Sequence, residues 1–401
     1  MSTRHAVTAA APWYSSRGMV ALDEDSLLAA AAARTGVEAP LEDTFVPAFR
    51  ALLGALRREA RLSAAGRARA SERIMRELER RVALASLEAR EPALATIAIE
   101  RPVVITGFPR TGTSLLLNLL ARVEGLWAPP LWQLREPVPP AGASEDSLRA
   151  QAQAQLDALF AAAPQLRAIH PMDPDWPDEC NWLLRNSFST LHNAFSWFVP
   201  SYVEHLGSGD MRPAYADHRR WLRALVHRRG GAQPRLVLKD PLHLWQLEEL
   251  FAVYPDATVI HLHRDPDQVA PSLASMCATM QSVDSDAPRS AAEIGAYSLR
   301  ILERGLQALE RSRATLPAAR FIDIPYRELI AAPGEVVRRL GRQLEFRVDT
   351  EALADAGEWL TANRPPRVGG HRYELEDFGF SPELLAESFS DYRGRFRGQI
   401  S

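Results

Sequence analysis

Between Gly107 and Ser114 the chain reads GFPRTGTS, a spacing of glycines, one cation and hydroxyls suited to holding an anionic group. Arg110 supplies a guanidinium, and Thr111, Thr113 and Ser114 supply hydroxyls on either side of Gly112. Ahead of this loop, Val103, Val104 and Ile105 are β-branched residues in a row, the pattern of a strand buried on both faces. Behind it, Leu115, Leu116, Leu119 and Leu120 fall on one side of a helix that begins at Thr113. The first turn of a helix carries backbone N–H groups without internal partners and the positive end of the macrodipole. A strand, a glycine loop and a helix in that order therefore bind phosphate. The GxxxxG spacing from Gly107 to Gly112 is that of a nucleotide loop. Thr113, however, stands where the Walker A pattern has lysine, and the cation has moved to Arg110.

Two more strand ends carry cations. RLVLK closes on Lys239, and ATVIHLH runs into Arg264, with Ser272 eight residues further on. A helix starting near Asp267 would bring the Ser272 hydroxyl towards Arg264, so that both converge on one anion. Strand C-termini share one edge in a parallel sheet, which places Arg110, Lys239 and Arg264 on a common rim. Taken singly, each fits a surface salt bridge or a helix-face hydroxyl; together they describe a site for a doubly anionic ligand. Near the C-terminus, VGGHRYELEDFGFS sets Arg367, His371 and Arg372 beside Gly369 and Gly370, where the backbone can approach a ligand closely.

The loop PRTGTS and the stretch HRDPDQVAPS together resemble the donor site of sulfotransferases that use 3′-phosphoadenosine 5′-phosphosulfate (PAPS). The tail HRYELEDFG, the loop KDPLH and the stretch HPMDPDWPDEC are similar to a bacterial subgroup with an N-terminal helical layer. That likeness spans nearly the whole chain from about residue 22. The resemblance implies that Arg110, Thr111, Gly112, Thr113 and Ser114 hold the 5′-phosphosulfate, with Lys239 near its bridging oxygen. It further implies that Arg264 and Ser272 take the 3′-phosphate, that Tyr326 stacks near adenine, and that Gly370, His371 and Arg372 fold over the nucleotide. The product would be 3′-phosphoadenosine 5′-phosphate (PAP), and protein cations would stand in for a metal.

The general base is less legible. The subgroup commonly has Trp-Glu in its proline-rich turn, but this chain has Trp132-Gln133, and glutamine takes no proton. His243, in the lysine loop, is the first substitute, followed by Glu179 and His170, with Glu136 also near in sequence. Two other readings share the loop. A P-loop kinase of a small hydroxyl compound would need Mg²⁺ and the missing lysine. A nucleotide-binding protein without catalysis would explain Gln133.

The elements that must position these residues alternate strand and helix with short loops, which implies an α/β fold. The expected architecture is a P-loop-like central parallel sheet flanked by helices, with an N-terminal helical layer. Residues 1–20 read as a flexible arm, 21–98 as the helical layer and 99–401 as the catalytic core. Helices are expected through LLAAAAARTG, capped by Asp23 or Asp25 and ended by Gly36, from Thr44 or Phe45 to Glu59, and at about 71–90, the last with arginines and glutamates alternating as on a solvated face. Within the core, about 128–232 reads as an acceptor-pocket insertion and about 363–380 as a donor-covering loop. Phe188, Phe195, Trp197, Phe198, Tyr202 and Trp221 suit either core or the wall of a pocket for an apolar or aromatic hydroxyl acceptor. A net charge of −3 argues against nucleic acid as partner. No apolar run has the length of a membrane span. The two cysteines, Cys180 and Cys277, are too few for a disulfide framework, so a reduced, cytoplasmic protein is expected. The acceptor and the oligomeric state are not readable from the sequence.

Overall fold

The computed structural model of the chain describes residues 20–36, 43–230, 234–363 and 375–400. Five short strands form one wholly parallel sheet: β1 (Val103–Gly107), β2 (Leu126–Trp127), β3 (Arg235–Lys239), β4 (Thr258–His263) and β5 (Phe321–Pro325). Their spatial order is β2-β3-β1-β4-β5. β1 is therefore central, and the chain passes to one side of it for β2 and β3 before crossing to β4 and β5. Crevices beside such a crossover, at the carboxyl ends of the strands, are where open α/β sheets bind ligands. In register, Ile105 lies beside Lys239 on one side and Ile260 on the other. β1 is buried along its whole length, as its β-branched run requires.

Four helices come first: α1 (Glu24–Thr35), α2 (Val46–Arg58), α3 (Ala64–Arg90) and, after the loop, α4 (Thr113–Leu120). Asp23 caps α1 by accepting from the Ser26 N–H, and Gly36 ends it in the left-handed conformation. Phe49, Leu52, Leu53 and Leu56 bury one stripe of α2. The long charged helix α3 starts seven residues earlier than its charge pattern implies, because Ser63 accepts from the Gly66 N–H and caps it.

Its charged face is also not simply solvated. Glu77 and Arg81 are buried, and Arg81 reaches the buried Asp217 at 2.5 Å. Arg73 stacks over Trp197, 4.4 Å from the ring centroid, while pairing with Glu77 one turn on. These arginines are inward-facing because the neighbouring segment offers carboxylates and rings, which sequence periodicity does not register. Gly66 packs so closely that a methyl group there would lie 2.0 Å from the Asp284 carbonyl oxygen. Gly66→Ala is therefore expected to lower stability by about 1–3 kcal/mol through overpacking, read as a fall in the thermal midpoint.

The N-terminal helices share a continuous apolar core with the segments around 183–226 and 269–309 rather than forming a body of their own. The aromatic stretch belongs to that core. Phe188, Tyr202 and Trp221 are wholly inaccessible, and Phe195 and Trp197 nearly so. Phe188 fills the space between Phe45 and Phe49, with centroids 5.6 and 4.8 Å away. Of the residues considered for a pocket wall, Phe198 alone remains partly exposed. Core burial wins because the helices Pro200–Ser208 and Arg212–Arg229 turn Tyr202 and Trp221 inward, and Phe188, Phe195 and Trp197 join the same core.

Candidate active site

The loop after β1 is held by its backbone. Gly107, Arg110 and Gly112 all adopt positive φ, at 148°, 74° and 89°. A Cβ on Gly107 would meet the Leu262 carbonyl oxygen at 2.5 Å, and one on Gly112 would meet the Tyr326 ring at 3.0 Å. Glycine is the residue that fits these close approaches. The buried Thr111 hydroxyl donates to the Phe108 carbonyl at 2.8 Å, closing the turn so that the N–H groups opening α4 face the rim.

Arg264, directly after β4, ties this loop to the next strand. Its guanidinium donates to the Arg110 carbonyl at 2.7 Å and to the Gln268 side chain at 2.8 and 3.0 Å. It also lies over the Tyr326 ring, 4.4 Å from the centroid. Ser272 lies half-buried in the helix Pro266–Asp284, whose cap is Asp265. Arg110, Arg264, Tyr326 and α4 thus surround one edge of the sheet. Gly370, His371 and Arg372 lie outside the described residues.

Lys239 is almost inaccessible and places its ammonium 2.5 Å from Glu179. The second carboxylate oxygen of Glu179 accepts from Asn181 at 3.1 Å and meets His192 Nε2 at 3.0 Å. The same nitrogen lies 3.1 Å from Asp240, whose carboxylate also accepts from the Leu242 N–H. The result is a chain of alternating charge, Lys239–Glu179–His192–Asp240, at the end of β3. Burial alone would raise the Glu179 carboxyl, but the Lys239 ammonium and then His192 outweigh it and hold it well below the usual carboxylate range. Burial would likewise lower His192; the Asp240 and Glu179 carboxylates reverse this and raise it to about 9. Glu179, His192 and Asp240 have the ligand types of a metal site. The Lys239 ammonium, however, already supplies the cation there.

Residues 102–350 match the model of the sulfotransferase family. The chain belongs to that family. A sulfotransferase structure from Mycobacterium tuberculosis, STF1, is similar to it at 30% identity and a TM-score of 0.80, over 94% of this chain and 100% of that one. STF9 from Mycobacterium avium is similar at 25% identity and a TM-score of 0.84, over 95% of this chain and 98% of that one. Among curated relatives, the omega-hydroxy-beta-dihydromenaquinone-9 sulfotransferase Stf3 of Mycobacterium bovis is 24% identical over 261 residues. That match takes in 62% of this chain and 64% of the relative's length.

For a sulfotransferase the residues expected as bases divide sharply. His243 does not face the rim: its Nδ1 bonds the Tyr215 hydroxyl at 2.7 Å and its Nε2 meets the Cys180 thiol at 3.1 Å. Both ring nitrogens are engaged within the core, and burial lowers its pKa. Glu136 is drawn towards Arg80, 3.6 Å away. His170 is half-buried and has a ligand-type atom within 4.8 Å of Asp178 and Glu179. Glu179 alone is hydrogen-bonded to Lys239. His192 escapes sequence reading because it is joined to Glu179 and Asp240 only by the fold. Its local signal is a position two residues after Thr190, whose hydroxyl accepts from the His192 N–H.

Proposed function

We propose that this chain transfers a sulfuryl group from PAPS to a hydroxyl of an apolar, lipid-like acceptor. The observation that carries the reading is the convergence of Arg110, Arg264 and the Lys239–Glu179 pair on the carboxyl edge of β1, β3 and β4. The lipid-like acceptor rests on the likeness to Stf3, whose name specifies a hydroxylated menaquinone. No described helix is long and apolar enough to cross a membrane, and both cysteines are free thiols. Those thiols suit a reducing, cytoplasmic setting.

In the reaction, the acceptor oxygen attacks sulfur in line, the sulfur bond to the 5′-phosphate oxygen breaks, and PAP leaves. Such a transfer asks of the protein mainly positioning and stabilisation of charge. The N–H groups opening α4, Arg110 and Lys239 serve the leaving phosphate, while Arg264 and Ser272 take the 3′-phosphate and Tyr326 the adenine. Glu179 accepts the acceptor's proton. Its basicity rises at that moment, because Lys239 turns from Glu179 to the leaving oxygen and no longer holds the carboxyl low. His192 keeps the carboxylate in place from the other side.

Calorimetric titration with PAP, with ADP and with ATP plus Mg²⁺ tests the donor. PAP is expected to bind at least tenfold more tightly than either, since a charge-assisted bond to the 3′-phosphate is worth about 1.5–3 kcal/mol. Arg264→Ala is expected to abolish that preference. A preference for ATP with Mg²⁺ would replace the sulfotransferase reading with a kinase.

A further inference from the structure

The helices that follow Ser381 lie beyond the matched residues 102–350, yet they reach back to the donor edge. Phe389 and Tyr392 pack edge-on against Phe108 in the phosphate loop, with centroids 6.1 and 5.3 Å away. The buried Tyr392 hydroxyl meets His263 Nδ1 at 2.9 Å, directly before Arg264. Next to it, Arg393 donates to Asp265 at 3.1 Å and to Asp267 at 2.6 Å. One terminal helix, Ser390–Arg395, therefore contacts both the loop after β1 and the turn after β4.

The electrostatics of that turn need such a partner. Between Arg264 and Asp267 the chain carries one guanidinium and two carboxylates, beside the place proposed for a dianionic 3′-phosphate. Asp265 caps the helix at Pro266, where its side chain accepts from the Asp267 N–H, and this holds its carboxylate at the turn beside Arg264. Left unpaired, the two carboxylates would repel a phosphate bound at the Arg264 turn. One guanidinium nitrogen of Arg393, Nη2, reaches both.

We propose that Arg393 is a positioning residue of the donor site, neutralising Asp265 and Asp267 so that the Arg264 turn selects nucleotides with a 3′-phosphate. It acts on the phosphate through these aspartates. The inference rests on the PAPS reading and deepens it: discrimination for the 3′-phosphate is completed by a C-terminal segment outside the matched family region.

The test compares PAP with adenosine 5′-monophosphate, which lacks the 3′-phosphate, by calorimetry at 0.15 M salt. Arg393→Ala is expected to weaken PAP roughly threefold to tenfold, a modest loss because the pair is partly exposed and screened, while leaving adenosine 5′-monophosphate unchanged. Arg393→Lys should retain most of the PAP affinity. Adding Asp267→Asn to Arg393→Ala should restore it, and 0.5 M salt should shrink the difference between wild type and Arg393→Ala. Equal weakening of both nucleotides, or no rescue by Asp267→Asn, would show a packing role only and overturn the inference. A PAP affinity unchanged in Arg393→Ala would overturn it as well, with the donor reading intact. If the wild type fails to distinguish the two nucleotides, the donor reading itself falls and takes the inference with it.

Discussion

Lys239→Ala is expected to lower kcat for sulfuryl transfer by about a thousandfold or more while weakening PAP binding far less. Charge grows on the leaving 5′-phosphate oxygen only as the bond to sulfur lengthens, so a cation aimed there acts mainly on the transition state. Two unit charges about 4 Å apart at an effective dielectric near 20 interact by roughly 4 kcal/mol, which corresponds to that factor. Lys239 is well placed to deliver it, being almost inaccessible and fixed at the end of a buried strand. Lys239→Arg should not restore the rate, because a bulkier planar fork does not fit a buried position shaped around an ammonium. Removing the lysine also leaves Glu179 with His192 and Asn181 as its remaining partners, so some loss of thermal stability should accompany the kinetic one. The measurement is single-turnover transfer from radiolabelled PAPS to geraniol, a prenyl alcohol serving as a lipid-like probe, with 4-nitrophenol alongside. A fall smaller than tenfold on both acceptors would remove Lys239 from the chemistry.

Much of this arrangement is legible in the sequence because it is local. β1, the glycine loop and α4 are announced by a β-branched run, by residues that permit positive φ, and by leucines at helical spacing. β3, β4 and β5 are equally plain, and their parallel orientation follows from the alternation with helices, though their spatial order does not. β2 escapes notice because two residues, Leu126 and Trp127, are too short to show a period. The helices Pro200–Ser208 and Arg212–Arg229 are hidden by aromatic and basic residues that obscure the apolar stripe. At the site, local reasoning does not foresee the partners of His243 and passes over His192 for the same physical reason. A histidine's partners are set by what the fold brings to its two nitrogens: Tyr215 and Cys180 in one case, Glu179 and Asp240 in the other. Nothing within a few residues of either histidine carries that information. Arg393 is the same lesson at longer range, since it pairs with aspartates 126 and 128 residues earlier.

Glu179→Gln tests the other half of the pair and is expected to reduce kcat about 10²–10⁴-fold, the usual range for removing a general base. PAP binding should persist or tighten, because Lys239 is then released from its carboxylate partner. The loss should be smaller with 4-nitrophenol than with geraniol, since an acidic phenol needs less help in giving up its proton. This split separates a base from a residue that merely orients Lys239, for which both acceptors would suffer alike. The pH dependence of stability gives an independent check on the charge chain. His192 is raised from 6.5 to about 9, so its stabilising contribution is complete below 6.5 and is lost as pH rises through about 9. Glu179 is depressed, so its contribution is present above the unfolded value of 4.5 and is lost as pH falls through its lowered folded value. Neither group should make the unfolding midpoint vary much between about pH 5 and 6.5. The midpoint should then decline towards pH 9 in the wild type, and His192→Gln should flatten that decline. A wild-type decline that survives His192→Gln would mean that His192 is not the cation joining Glu179 to Asp240. The carboxylate would then depend on Lys239 and Asn181 for its placement, and the neutral Asn181 amide would be the partner left to it once Lys239 turned to the leaving group.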